Sequence, residues 1–201
     1  MARKKNQSAR REQLTEAAQR AIAQHGAAGV RVEHVALEAG VSPNTVRYYY
    51  KDVEELLRDA HRKAIERFYT NRMIQAREIE DPVERLVATI DAGVASGPDD
   101  PETRLLWEGT RRAGESELFS VVMTNLYKQQ ELLYENILEL GVAVGAFELN
   151  EDLCTIAQTL VALEDICGIR MMHNDPTFDH AEGKRMVLAY ARLATGYDLP
   201  E

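Results

Sequence analysis

The 201-residue chain has two cysteines and no apolar run long enough to cross a bilayer, which takes about 18–20 residues. Cys154 and Cys167 stand thirteen residues apart. On one helix that is about 20 Å, beyond the reach of a disulfide, so both are expected to be buried thiols of a cytoplasmic protein. The opening MARKKNQSARRE is charged and no apolar stretch follows it, so no secretory leader is expected. There is no nucleophile elbow, phosphate loop, zinc signature or dinucleotide fingerprint. The histidines His25, His34, His61, His173 and His180 have neither i, i+4 pairing nor cysteine partners. There is no internal repeat, no low-complexity segment and no strand-like alternation. These absences argue against an enzyme, a metal site, a cofactor and a membrane span, and leave an all-α fold.

What is present centres on Val32 to Tyr50, VEHVALEAGVSPNTVRYYY. Val32, Val35, Ala36 and Ala39 fall on one helical face. Gly40 suits a left-handed helix end. Ser42 is a cap, and Pro43 fits a first helical position that needs no amide donor. In the helix from Pro43 to about Tyr50, Val46 and Tyr50 point inward. Asn44, Arg47 and Tyr48 point outward, with Thr45 and Tyr49 between them. That outward set offers donors, a cation and rings but no acid, as a major-groove reader needs. An ordinary helical hairpin with a solvated second helix is the bland alternative.

The charge is uneven. Residues 1–50 hold eight Lys/Arg and four acids, a net of +4 that leaves −13 on the rest of a −9 chain. A basic head on an acidic body attracts DNA at one end only. Residues 1–8 read as a disordered basic arm whose Arg3, Lys4 and Lys5 are candidate phosphate contacts. A first helix is expected over 9–25, carrying Leu14, Ala17, Ala18, Ala21 and Ile22.

LTEAAQRAIAQHG followed by VEHVALEAGVSPNTVRYYYKDVEELL resembles the N-terminal domain of TetR-family transcriptional regulators. The resemblance covers about the first sixty residues. It implies a three-helix head (1–51) joined by a long helix to a helical ligand-binding and dimerisation domain (52–201), about nine helices in all. It also implies base- or phosphate-facing roles for Thr45, Arg47 and Tyr48, and a phosphate contact for Tyr49. Tyr50 stands where the family commonly has a core phenylalanine. Arg31 replaces the usual Thr or Ser cap and is a candidate phosphate contact. Val53 stands at a usual lysine position, for which Lys51 is the substitute.

In the body, Asp52 with Glu55 forms a capping box for a helix running to about Glu80. Asp81-Pro82, Asp100-Pro101, Ser116, Asn150 and Asp179 open further helices, ending near Gly97-Pro98, Gly114, Leu140, Met172 and Gly196. The last two are apolar on several sides, with Met186, Val187, Tyr190, Leu193 and Ala194 on the final one. They are the candidate interface of a homodimer, which would present two recognition helices to successive major grooves. The alternative is that both are simply core.

Glu164-Asp165 interrupts an apolar helix. Buried acids need partners or a cation. One reading is a salt bridge to Arg104, Arg111, Arg112 or Arg170. The other is a pocket where Glu164 or Asp165 joins Trp107, Glu108, Phe119, Tyr127 and Tyr134 around a cationic ligand. A hydrophobic effector is the alternative, and Met123, Met171, Met172 and Met186 are either pocket or core. The body loosely resembles the choline/betaine branch of the family. The combined expectation is a homodimeric repressor that binds a palindromic double-stranded DNA operator and is released by a small molecule. The competing classes are an enzyme using Glu108 and Asp165, and a helical adaptor that no longer binds DNA.

Overall fold

The computed structural model describes residues 2–26, 29–98, 101–114 and 117–200. Through them run nine helices and no strand: α1 (Ala2–His25), α2 (Val32–Ala39), α3 (Pro43–Tyr49), α4 (Val53–Glu78), α5 (Pro82–Gly93), α6 (Pro101–Ala113), α7 (Glu117–Ala143), α8 (Leu153–Met172) and α9 (His180–Thr195). Two compact units divide at Glu66/Arg67, within α4. The first half of α4 groups with the head because Leu56, Leu57 and Ala60 are buried in the head's core.

The head is built around small residues. Ala17, Ala18 and Ala21 of α1 and Ala36 of α2 are buried with Val35, Val46 and Tyr50, so the short helices lie close to α1. Gly40 takes φ 64° and ψ 36°, and the chain turns there without a Cβ penalty. Ser42 Oγ accepts from Thr45 N at 3.2 Å, capping α3 behind Pro43. Arg31 has no acceptor to offer α2. Its backbone N–H donates to His34 Nδ1 at 3.3 Å instead.

Several of the expected boundaries shift. The arm expected over 1–8 is corrected: α1 starts at Ala2, because ARKKNQSARRE has good helix formers and neither proline nor glycine. The side chains of Arg3, Lys4 and Lys5 lie outside the described residues, as do the caps assigned to Asp100 and Ser116. Asp52 does cap α4, accepting from Glu55 N at 2.7 Å, while Glu55 reaches back to Lys51 N at 2.9 Å. Helix α5 stops at Gly93, short of Gly97, where Val94 turns extended. Helix α7 continues past Leu140 to Ala143. The cap of α8 is Asp152, not Asn150; Asn150 is bonded to the end of α9, through its side chain to Leu193 O at 2.7 Å.

In the second unit, Leu86 and Ile90 of α5, Tyr134, Ile137 and Leu138 of α7, Ile156 and Leu160 of α8, and Val187, Leu188 and Ala191 of α9 share one core. Cys167 is buried but Cys154 is exposed, correcting the expectation of two buried thiols. Among the described residues no helix is long and apolar enough to cross a membrane.

Tyr50 shows how the head accommodates a polar group at a core position. It is 2% exposed, and its hydroxyl donates to Asp59 Oδ2 at 2.7 Å. The Arg11 guanidinium lies 4.5 Å from its ring centre. Burial first, and then the Asp59 carboxylate, push its phenol well up. Tyr50→Phe removes only the hydroxyl. We expect a loss of about 1.5 kcal/mol, as for a hydrogen bond to a charged group, read as a lower urea midpoint at unchanged slope. An unchanged midpoint would mean that the bond adds nothing.

Candidate nucleic-acid interface and ligand cavity

The outward face of α3 is open. Tyr48 is 70% exposed and meets Tyr49 edge-on at 5.1 Å between ring centres. Asn44 and Arg47 are exposed, Thr45 and Tyr49 half-buried. The Thr45 hydroxyl is 3.0 Å from Ser42 Oγ. Arg31 and Lys51 are exposed at the start of α2 and just beyond α3.

The face is not free of acid, as the sequence suggested. Arg47 Nη2 pairs with Glu33 Oε1 of α2 at 2.7 Å. Backbone hydrogen bonding in the first turn of α2, and also the Arg47 guanidinium, hold Glu33 below the usual carboxylate range. Both partners are exposed, so the pair is weak and exchangeable. Arg11 is the residue the sequence did not flag. Its Nη2 donates to Tyr49 O at 3.2 Å and to Glu55 Oε1 at 3.0 Å, fastening the end of α3 to α1 and α4.

A cavity of about 80 Å³ opens in the second unit. That is several times what one water needs and small beside a drug-sized site. Of the residues predicted from sequence, Trp107, Tyr127, Glu164 and Asp165 line it, and Glu108, Phe119 and Tyr134 do not. Glu108 is paired with Arg111 at 2.8 Å and Arg112 at 3.0 Å. Phe119 is buried at 2% exposure beneath Arg112. Tyr134 is fully buried and bonded to Glu164. Met123 and Met172 line the cavity, while Met171 and Met186 do not. Trp107 and Asp165 are solvent-exposed at its mouth; Met123, Leu126, Gln130 and Glu164 are buried beneath.

Glu164 does have a salt-bridge partner, but none of the four arginines nominated from sequence. It is Arg72, on α4. Arg72 Nη2 meets Glu164 Oε1 at 2.8 Å and Nη1 meets Oε2 at 3.1 Å, with the side chains 3% and 4% exposed. The guanidinium also donates to Gln130 Oε1 on α7 and to Thr89 O on α5, and the Tyr134 hydroxyl donates to Glu164. Burial pushes the Glu164 carboxyl up, and Arg72 opposes it. Two-pronged contact with a guanidinium, plus a phenol donor, is the arrangement an ionised carboxylate takes. The nominated arginines are engaged elsewhere, Arg170 with Asp175 at 2.6 Å and Arg104 with Pro98 O at 3.0 Å. A sequence signal for Arg72 existed. It falls in step with Ala64, Phe68 and Ala76, on the apolar stripe of α4.

Asp165 differs from its neighbour. Its carboxyl is pushed up to about 6, by crowding of the surrounding protein first and then by the Glu164 charge; a hydrogen bond from Tyr127 acts the other way. Yet it keeps solvent contact at the cavity mouth. Among the described residues no group of three or more His, Cys, Asp or Glu is placed to hold a metal ion.

A capped, small-residue-packed pair of short helices with an open second helix defines a helix-turn-helix protein. Residues 14–60 match the model for bacterial regulatory proteins of the tetR family. Over 98 residues, 49% of the chain, it is 30% identical to the HTH-type transcriptional regulator BetI of Agrobacterium fabrum, covering 48% of that protein. BetI of Brucella abortus is also 30% identical over 98 residues, covering 50% of that protein. The matched stretch thus spans about half the length of these curated relatives. The fold is shared with a TetR transcription regulator of Haloarcula marismortui, at TM-score 0.82 and 24% identity over 94% of this chain and 99% of that one. It is shared also with a transcriptional regulator of Saccharomonospora viridis solved in complex with choline, at TM-score 0.83 and 21% identity over 92% and 96%. Residues 14–60 are thus similar to the tetR family of bacterial regulatory proteins, and the fold is that of the solved regulators.

The buried pair closes against Gly93 of α5, where an added Cβ would overlap both the Glu164 carboxylate and the Arg72 guanidinium. Elsewhere in a helix, Gly→Ala gains about 1 kcal/mol. Here the overlap outweighs that gain, and Gly93→Ala is expected to destabilise by about 1–3 kcal/mol, measured by thermal or urea unfolding. A variant as stable as the parent would show that the pair does not depend on this contact.

Proposed function

We propose that the protein is a homodimeric, effector-responsive DNA-binding repressor. The observation that carries the reading is the capped α3 with Asn44, Arg47 and Tyr48 exposed on one face, inside a segment matching the tetR family model. In this reading Arg47 and Tyr48 read base edges or phosphates, with Asn44 and Thr45 beside them. Tyr49, Arg31 and Lys51 hold backbone. Arg47 exchanges Glu33 for DNA at little cost, because the pair is exposed.

Dimerisation is assigned to α8 and α9. Leu193 is 74% exposed, and Ile166 and Tyr197 are exposed beside the buried core of the same segment. Val187 and Ala194, by contrast, are spent inside the protomer. An exposed apolar set of this kind favours a partner helix pair.

The effector is a compact cation. Asp165 supplies the counter-charge, and Trp107 and Tyr127 supply aromatic faces. A structural relative in complex with choline supports the same class. A neutral apolar effector is favoured only by Met123, Leu126 and Ile169 in the lining. Release from DNA requires only that the effector bind the DNA-incompetent state more tightly. Helix α4, which contributes residues to both units and carries Arg72 and Phe68, is the element through which occupancy is felt.

The test is operator binding to DNA from the protein's own upstream region. Arg47→Ala and Tyr48→Ala should each weaken specific binding by about tenfold or more. Leu193→Asp should yield monomers by analytical ultracentrifugation and lose cooperative occupancy of the two half-sites. Unchanged operator affinity in both α3 variants would refute the reading face, and a dimeric Leu193→Asp would refute the interface.

A further inference from the structure

The cavity holds two adjacent carboxylates, but the structure leaves only one of them for a ligand. Glu164 is cancelled from within. Both its oxygens meet the Arg72 guanidinium, the Tyr134 hydroxyl donates to one of them, and the side chain is 4% exposed. Asp165 has no such partner. Among the described residues no cationic side chain forms an ion pair with it, and its hydrogen-bonding neighbour is the Tyr127 hydroxyl. The site around it therefore carries one net negative charge. The walls are apolar and aromatic, from Trp107, Phe68 and Leu126, and the room is about 80 Å³.

Resting on the reading of this cavity as the effector site, we propose that it selects a compact organic monocation, with Asp165 as the sole counter-ion and Arg72 as a built-in cation that removes Glu164 from ligand recognition. Two free carboxylates side by side would instead take a divalent ion. With one carboxylate cancelled, a dication brings a charge that nothing in the site offsets. A neutral molecule of the same shape leaves Asp165 desolvated and unpaired. The selectivity comes from these penalties on the wrong ligands as much as from attraction to the right one.

Calorimetric titration of the full chain at pH 8 tests this. The probes are choline, its neutral isostere 3,3-dimethylbutan-1-ol, and calcium ion as competitor. Choline should bind at least tenfold tighter than the isostere, and millimolar calcium should not displace it. Asp165→Asn should abolish the preference for choline. The double variant Arg72→Met/Glu164→Gln removes one charge of each sign and should keep that preference. Retention of the preference in Asp165→Asn, its loss in a folded double variant, or displacement of choline by calcium would each overturn the proposal. If the double variant does not fold, Asp165→Asn and the three-probe comparison on the parent chain decide, since neither alters the buried pair. Failure of choline and the isostere alike to bind the parent would overturn the effector reading itself, and the charge assignment with it. Binding without discrimination would overturn the charge assignment alone.

Discussion

The second unit depends on one buried ion pair. Arg72 and Glu164 are almost wholly out of water, and removing two ions from water costs several kcal/mol each. The structure offsets this through both Nη atoms of Arg72 and both oxygens of Glu164, while Arg72 Nε is buried without a partner. Gln130, Tyr134 and the Thr89 carbonyl supply the remaining bonds. Those partners lie on α5 and α7, while the ions lie on α4 and α8. Four helices therefore have to be in register for the pair to be tolerated. Loss of one partner alone would strand a buried charge, typically at a cost of about 3–5 kcal/mol.

That requirement accounts for small residues in places where helix propensity alone would not choose them. Gly93 ends α5 where the carboxylate and guanidinium occupy the space of a Cβ. Gly168, one turn beyond Glu164, brings the methyl of Thr103 on α6 within 3.1 Å of where a Cβ would stand. Both glycines line the cavity. The close approach of helices around the pair and the hollow beside it thus share a cause: backbone comes near where side chains have been omitted.

The head was more legible in the sequence than the site in the second unit, and the reason is physical. Gly40, Ser42 and Pro43 act locally, each through its own backbone conformation or cap, so α2 and α3 follow from the nearest neighbours along the chain. The caps at Asp52, Asp81 and Asp179 were legible for the same reason. At the start of α1, where no breaker stands, the helix ran on past the expected limit, and α7 runs on through Gly141, whose missing Cβ makes room for the Phe147 ring. The partner of Glu164 is 92 residues away in sequence, and nothing local chooses Arg72 over Arg104, Arg111, Arg112 or Arg170. The apolar stripe on α4 was the usable clue, because a charge there must find its opposite inside. Tyr134 and Phe119 were named for chemistry that suits a pocket, but burial turned one into a support for Glu164 and placed the other beneath Arg112.

The division of labour between Glu164 and Asp165 follows from helix geometry. Successive residues on an α-helix point about 100° apart, so two neighbours reach different partners. With Glu164 turned toward Arg72 of α4 and Tyr134 of α7, Asp165 is carried round to Tyr127, about two turns earlier on α7, and to the exposed edge of the cavity. There it is crowded by protein and by the Glu164 charge, and its carboxyl rises to about 6. A raised carboxyl means that the surrounding protein leaves the ionised form under-compensated. Any occupant that supplies a positive charge stabilises that ionised form and draws the carboxyl back down. Linkage makes the two statements one: the cation binds more tightly as Asp165 ionises, and Asp165 ionises more readily as the cation binds. Glu164 has no comparable deficit for a ligand to fill, because Arg72 already fills it.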